Sequence, residues 1–181
     1  ALPTFENINN ADDIWIWEVV KKNLEDYELT YDQIEEKAKE IFGNDLEKTF
    51  PKQGNESITY NEENDKYYAE GRGLDEQEDE FILNKVEKTK DGYEVEIIEY
   101  IEDYSNLMNN YSQNNNSETE EQEIIIKNLK NEEIAKVKSS EEESSKEIVK
   151  NNAEKFTKKK LKLKQDKENS KLYIESSSDI T

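Results

Sequence analysis

The chain has 181 residues, 32% hydrophobic and 39% charged, with a formal net charge of -20 and neither histidine nor cysteine. That double absence excludes thiol nucleophiles, Ser-His-Asp relays, disulfides, Cys/His zinc sites and His-ligated iron or copper, since each needs an imidazole or a thiolate. The length fits one domain spanning 1–181, and the aromatic residues, ten tyrosines and two tryptophans among them, supply a core that the hydrophobic total alone would not promise.

From the N-terminus, Asn9, Asn10, Asp12 and Asp13 offer caps and first-turn carboxylates for a helix through Ile14–Val20, with Lys21 and Lys22 at its positive-preferring end. Ile16, Val20 and Leu24 share one face, which Trp17 and Tyr27 widen. Trp15 and Trp17 diverge by about 200 degrees on such a helix, so they cannot form one stacking platform for a sugar, and core packing is the expectation. A second helix starts at a Thr30/Gln33 capping box, runs an apolar stripe through Tyr31, Ile34, Ala38, Ile41 and Phe42, and stops at Gly43.

Strands follow. Ser57–Tyr60 and Lys66–Glu70 flank a polar turn, and Phe81–Lys88 and Tyr93–Ile101 flank Thr89–Gly92, where Asp91-Gly92 is expected to supply positive φ angles. Tyr93, Val95 and Ile97 line one face of the last strand, and Ile98 and Tyr100 make the other face apolar. The strand is therefore central and covered on both sides, or bulged near Ile97-Ile98. Residues 105–122 form an Asn/Glu-rich loop, with 112–121 expected to be dispensable. Short apolar runs at Glu123–Ile126 and Ile134–Val137, a helix near Ser145–Lys155, and a hairpin of Phe156–Lys164 with Leu172–Glu175 close the chain. The predicted core is Trp17, Val20, Ile34, Phe42, Val95, Ile97, Leu161 and Ile174.

The constellations that carry chemistry each have two readings. Lys158, Lys160, Lys162 and Lys164 could hold a polyanion, or be the solvent face of a strand whose other face carries Leu161 and Leu163; the field of an acidic chain favours the second. The charge could mimic the phosphate field of nucleic acid for a DNA-binding partner, but a plain acidic surface repels phosphate backbones, so no nucleic acid is expected to bind. Gly71-Arg72-Gly73 could present a bidentate arginine to a carboxylate, or be a strand exit. Carboxylate pairs such as Asp12-Asp13, Asp75-Glu76 and Glu102-Asp103 are too many to single out an acid/base pair. Calcium-loop, phosphate-loop and dinucleotide glycine patterns do not occur, and no cofactor or metal is expected.

Two amphipathic helices, Tyr-rich hairpins, the Lys90–Tyr93 turn and the closing run Leu172–Ser176 resemble, in texture over most of the chain, uncharacterised secreted or lipid-anchored proteins of low-GC Gram-positive bacteria. That resemblance implies a cystatin-like or nuclear-transport-factor-like α+β fold, with N-terminal helices packed on a curved, mainly antiparallel sheet, and an extracytoplasmic location. The only methionine is Met108, so Ala1-Leu2-Pro3 reads either as a processing product, for which a removed leader or an upstream lipid anchor would suit the cysteine-free remainder, or as a boundary. No apolar run reaches the roughly 18 residues of a membrane span. The expected function is a noncatalytic extracytoplasmic binding module for a protein or polymer partner, contacting it through Tyr68, Arg72, Tyr100 and Tyr104. A small-molecule enzyme or ligand binder with a pocket on the concave sheet face is the alternative.

Overall fold

A computed structural model describes residues 1–24, 28–48, 58–69, 76–107, 123–140 and 142–180. Arg72, Tyr27 and residues 108–122, including the segment expected to be dispensable, lie outside the described residues. The architecture is α+β with antiparallel sheets. Helices α1 (Asp13–Lys22) and α2 (Tyr31–Phe42) belong with a small sheet of β1 (Glu28–Thr30), β3 (Lys66–Ala69) and β2 (Ile58–Asn61), in that spatial order. The larger sheet contains β4 (Gln77–Lys88), β5 (Gly92–Asp103), β6 (Glu123–Lys127), β7 (Glu133–Lys138), β8 (Thr157–Gln165) and β9 (Leu172–Asp179), with helix α3 (Glu142–Asn151) between β7 and β8.

The helix signals act as read. Asp12 accepts the Trp15 N–H at 3.0 Å to cap α1, and Lys21 and Lys22 fall in its last turn. Thr30 and Gln33 each satisfy the other's backbone N–H, which completes the capping box of α2, and Gly43 leaves the helix at φ 93. The helix near the C-terminus begins earlier than its apolar residues suggest and gives way to a single 3-10 turn, Ala153–Lys155.

Strand β5 is the axis of the molecule. One of its edges pairs with β4 from Tyr93 to Asp103, and the other pairs with β8 over Gly92–Glu99 and then with β6 over Ile101–Asp103. Its even-numbered face joins a core of Ile82, Ile98, Tyr100, Ile126, Val149 and Phe156, and its odd-numbered face carries the buried Val95 and Ile97. A second core joins Ile16, Trp17, Val20, Ile34, Phe42 and Tyr67 of the helices and small sheet. Six of the eight predicted core residues are buried, and Leu161 and Ile174 are half-buried. Phe5 pairs with Ser177 through two 2.9 Å backbone bonds, which lays the N-terminal segment along the outer edge of β9.

One expectation and one of two alternatives need correction, and one strand was not foreseen. The Asp91-Gly92 turn uses no positive φ, and glycine is required there for another reason: a Cβ on Gly92 would sit 1.9 Å from the Leu163 carbonyl oxygen of β8. The bulge lies not at Ile97-Ile98 but opposite, between Leu83 and Lys85 of β4, so β5 keeps its alternation. Strand β1 was hidden because three residues directly before a capping box offer no period to read.

Candidate functional site

The odd-numbered face of β5 and helix α1 enclose a groove of about 260 Å³. Trp15 and Val19, one turn apart on α1, form one wall, with Phe81 of β4, Ile97 of β5 and Leu161 of β8 across from them. The divergence of the two tryptophans builds this wall. Trp17 is buried against Tyr67 at 5.9 Å, whereas Trp15 packs on another side of the same core, its ring 5.7 Å from Phe5 and 5.5 Å from Phe42, and is only partly buried. Glu18 and Lys22 of α1, Asp79 and Glu80 of β4 and the Ala1 ammonium, which pairs with Asp79 at 2.5 Å, form a rim with a small excess of acid.

Glu99 lines this groove and is only 5% exposed. It follows Val95 and Ile97 in the alternation of β5, which carries a carboxylate onto an apolar face. Its Oε1 accepts the Leu2 N–H at 2.7 Å; its Oε2 is buried and has no hydrogen-bond partner among the described residues. Burial raises the pKa of this carboxyl, outweighing the Leu2 bond and the nearby Lys159 charge. Lys159 directs its ammonium elsewhere, to Asp179 at 2.8 Å and Thr4 at 3.2 Å.

The other buried acids are internally satisfied. Asp103 accepts from Lys127 at 2.5 Å, Gln77 at 2.8 Å and the Ser105 N–H at 2.9 Å. Burial raises its pKa, but these donors together outweigh burial and hold it well below the usual carboxylate range. Glu102 accepts a hydrogen bond from the Tyr104 hydroxyl, and burial together with that bond raises the tyrosine pKa.

The tyrosines expected to contact a ligand lie in two places, Tyr68 in the small sheet and Tyr100 with Tyr104 at the core of the larger one. Tyr68 lies in the small sheet, its hydroxyl accepting from Asn64 at 2.5 Å. Tyr100 is 1% exposed and packs edge-on against Phe156, a core position set by the even face of β5. Tyr104 is half-buried beside Glu102, and Arg72 lies outside the described residues. The β8 lysines meet acids at several points: Lys160 pairs with Glu94 at 2.9 Å and Lys164 with Asp45 at 3.2 Å. Among the described residues no group of three or more acidic residues is arranged to hold a metal ion, and no helix is long and apolar enough to cross a membrane. Compared with protein-family models, curated proteins and solved structures, the chain gives no match.

Proposed function

We propose that this protein is a binding module that receives a cationic hydrogen-bond donor, carried on an apolar stem, in the groove over Glu99. The observation that carries the reading is the buried Glu99 Oε2 without a partner, because a carboxylate oxygen withdrawn from water is costly until a donor meets it. With Asp79 paired to the Ala1 ammonium, the acid excess of the rim rests on Glu18 and Glu80 against Lys22 and favours a cation, and Trp15, Phe81 and Leu161 favour a hydrocarbon stem. A volume of about 260 Å³ is below the usual range for whole small-molecule ligands, about 300–1,000 Å³, and suits one protruding group of a larger molecule. The partner in this proposal is a protein or polymer presenting primary ammonium groups, met outside the cytoplasm.

Titration with n-hexylamine, followed by NMR, tests this. Saturable shifts are expected at the Trp15 indole and the Ile97 amide, with Glu99→Gln weakening binding about ten- to a hundredfold, the range for loss of a hydrogen bond to a charged group. An unmoved Trp15, or equal binding by the variant, would sink the proposal. The raised pKa of Glu99 supports a second reading, in which the protonated carboxyl is a general acid. Substrate turnover that disappears in Glu99→Gln would favour it.

A further inference from the structure

Strand β4 pairs on one side with β5, and its other edge meets no strand among the described residues. Along that edge Phe81, Leu83 and Val86 are 58%, 56% and 53% exposed, an unusual run of large apolar side chains on a long open strand. Bulges and lysines commonly protect such edges, and β4 has both. Here the bulge also acts as a selector.

Leu83 lies opposite Ile97 and Val86 opposite Val95, so Phe81, Leu83, Val86 and Lys88 share a face although the numbering changes parity at the bulge. An antiparallel neighbour must match faces on both sides of that irregularity. A copy of β4 related by a two-fold axis between Asn84 and Lys85 does so. Leu83 then meets Val86 of the second copy, Phe81 meets the aliphatic stem of Lys88, and Ile82 meets Glu87. A slip of one residue sets apolar positions against the charged face. The charges agree with this register. β4 is acidic at its start (Glu78, Asp79, Glu80); toward its end Lys85 is paired with Glu87 at 2.6 Å, and Lys88 and then Lys90 are the basic positions, so an antiparallel copy brings Asp79 next to Lys88 and Lys90.

We infer that β4 is a self-association edge, through which two copies join their larger sheets antiparallel about an axis between Asn84 and Lys85. The contact is one strand pair, at the small end of specific interfaces (below about 1,200 Å²), the class in which weak, reversible association is the rule. Sedimentation velocity from about 5 to 500 µM at physiological salt is expected to show a reversible monomer–dimer equilibrium. Leu83→Lys should be monomeric throughout with unchanged circular dichroism, because the position is exposed.

Charge exchange reads the register. Asp79→Lys alone, or Lys88→Glu with Lys90→Glu, should weaken association about three- to tenfold, and the triple variant should restore it. Within one chain Asp79 and Lys88 are about 30 Å apart along the strand, so restoration can come only from across the axis. Asp79 also meets the Ala1 nitrogen at 2.5 Å, a contact that the triple variant does not rebuild. A wild-type monomer up to about 500 µM, a dimer indifferent to Leu83→Lys, or a triple variant no tighter than its parents overturns the inference.

Discussion

Glu99→Gln should stabilise the protein at neutral pH, although it removes a charge from near Lys159. Glutamine preserves the shape of the side chain and the acceptor that meets the Leu2 N–H, and it removes the ionisation that burial opposes. Leaving a buried acceptor unsatisfied costs about 1–3 kcal/mol, and more when it is charged. The amide regains only part of this, because its own NH2 enters the same unpartnered position, so the expected gain is about 1 kcal/mol. In a chain of this length that corresponds to a rise in Tm of about 2–4 °C. The folded pKa of Glu99 is raised above the unfolded value of about 4.3, so between the two the folded state binds more protons than the unfolded state, and stability falls as pH rises through that window. The advantage of the variant should therefore be absent near pH 4 and grow as the pH rises toward neutral. Urea denaturation of both proteins from pH 4 to 8 measures it. A variant that is less stable at pH 7, or an advantage constant with pH, would refute the account of Glu99 as a desolvated, unpartnered carboxylate.

Further outcomes follow from other sites. Lys127→Met should cost about 3–5 kcal/mol, because it leaves Asp103 buried with its charge less compensated; chemical denaturation measures it, and a cost under 1 kcal/mol would show that Gln77 and Ser105 suffice. The folded pKa of Asp103 is depressed, so the stability it contributes is complete above its unfolded value of about 3.9 and is lost as pH falls toward the folded one; Asp103→Asn should flatten the acid limb of the stability curve. Gly92→Ala should destabilise at the upper end of about 1–3 kcal/mol and speed exchange of the β8 amides beside Leu163, since the new Cβ meets backbone that cannot rotate aside. Moderate salt should raise the Tm, because it screens the self-repulsion of a chain with net charge -20; a fall would indicate that ion pairs such as Lys127–Asp103 dominate.

The helices, hairpins and most of the core were legible in the sequence because each rests on short-range rules: the Thr30/Gln33 box, the spacing of Ile34 and Ala38, the alternation of Val95 and Ile97. What sequence could not supply was which face of each strand meets which layer. Tyr100 shows the difference. The sequence puts it with Ile98 on an apolar face yet leaves it a candidate ligand contact; its even-numbered position on β5 carries it into the core beside Phe156. Gly92 was read by its usual conformational freedom, whereas its actual constraint is the approach of Leu163, a residue 71 positions away. Long-range approaches of that kind leave no local pattern.

Glu99 was different, because its signal was present and unread. Extending the alternation Tyr93, Val95, Ile97 by one step places a glutamate on the apolar face of a strand covered on both sides, where a carboxylate must find donors or shift its pKa. Asp103, two steps further on, lies under the same constraint and meets it with three donors. Glu99 has the one Leu2 N–H and an open groove. Two acids four residues apart on the same face thus separate by their partners: Asp103 is tied into the sheet, and Glu99 keeps an oxygen available at a cost in stability. Burial alone does not distinguish them, since both are at least 95% buried. The distinguishing quantity is the number of donors each has, which depends on what β4, β6 and the N-terminal segment bring alongside. A carboxylate retained on an apolar face without its full set of donors is poor design for stability and suitable design for recognition, and this contrast within one strand is why the proposed binding site is placed at Glu99 and not at Asp103.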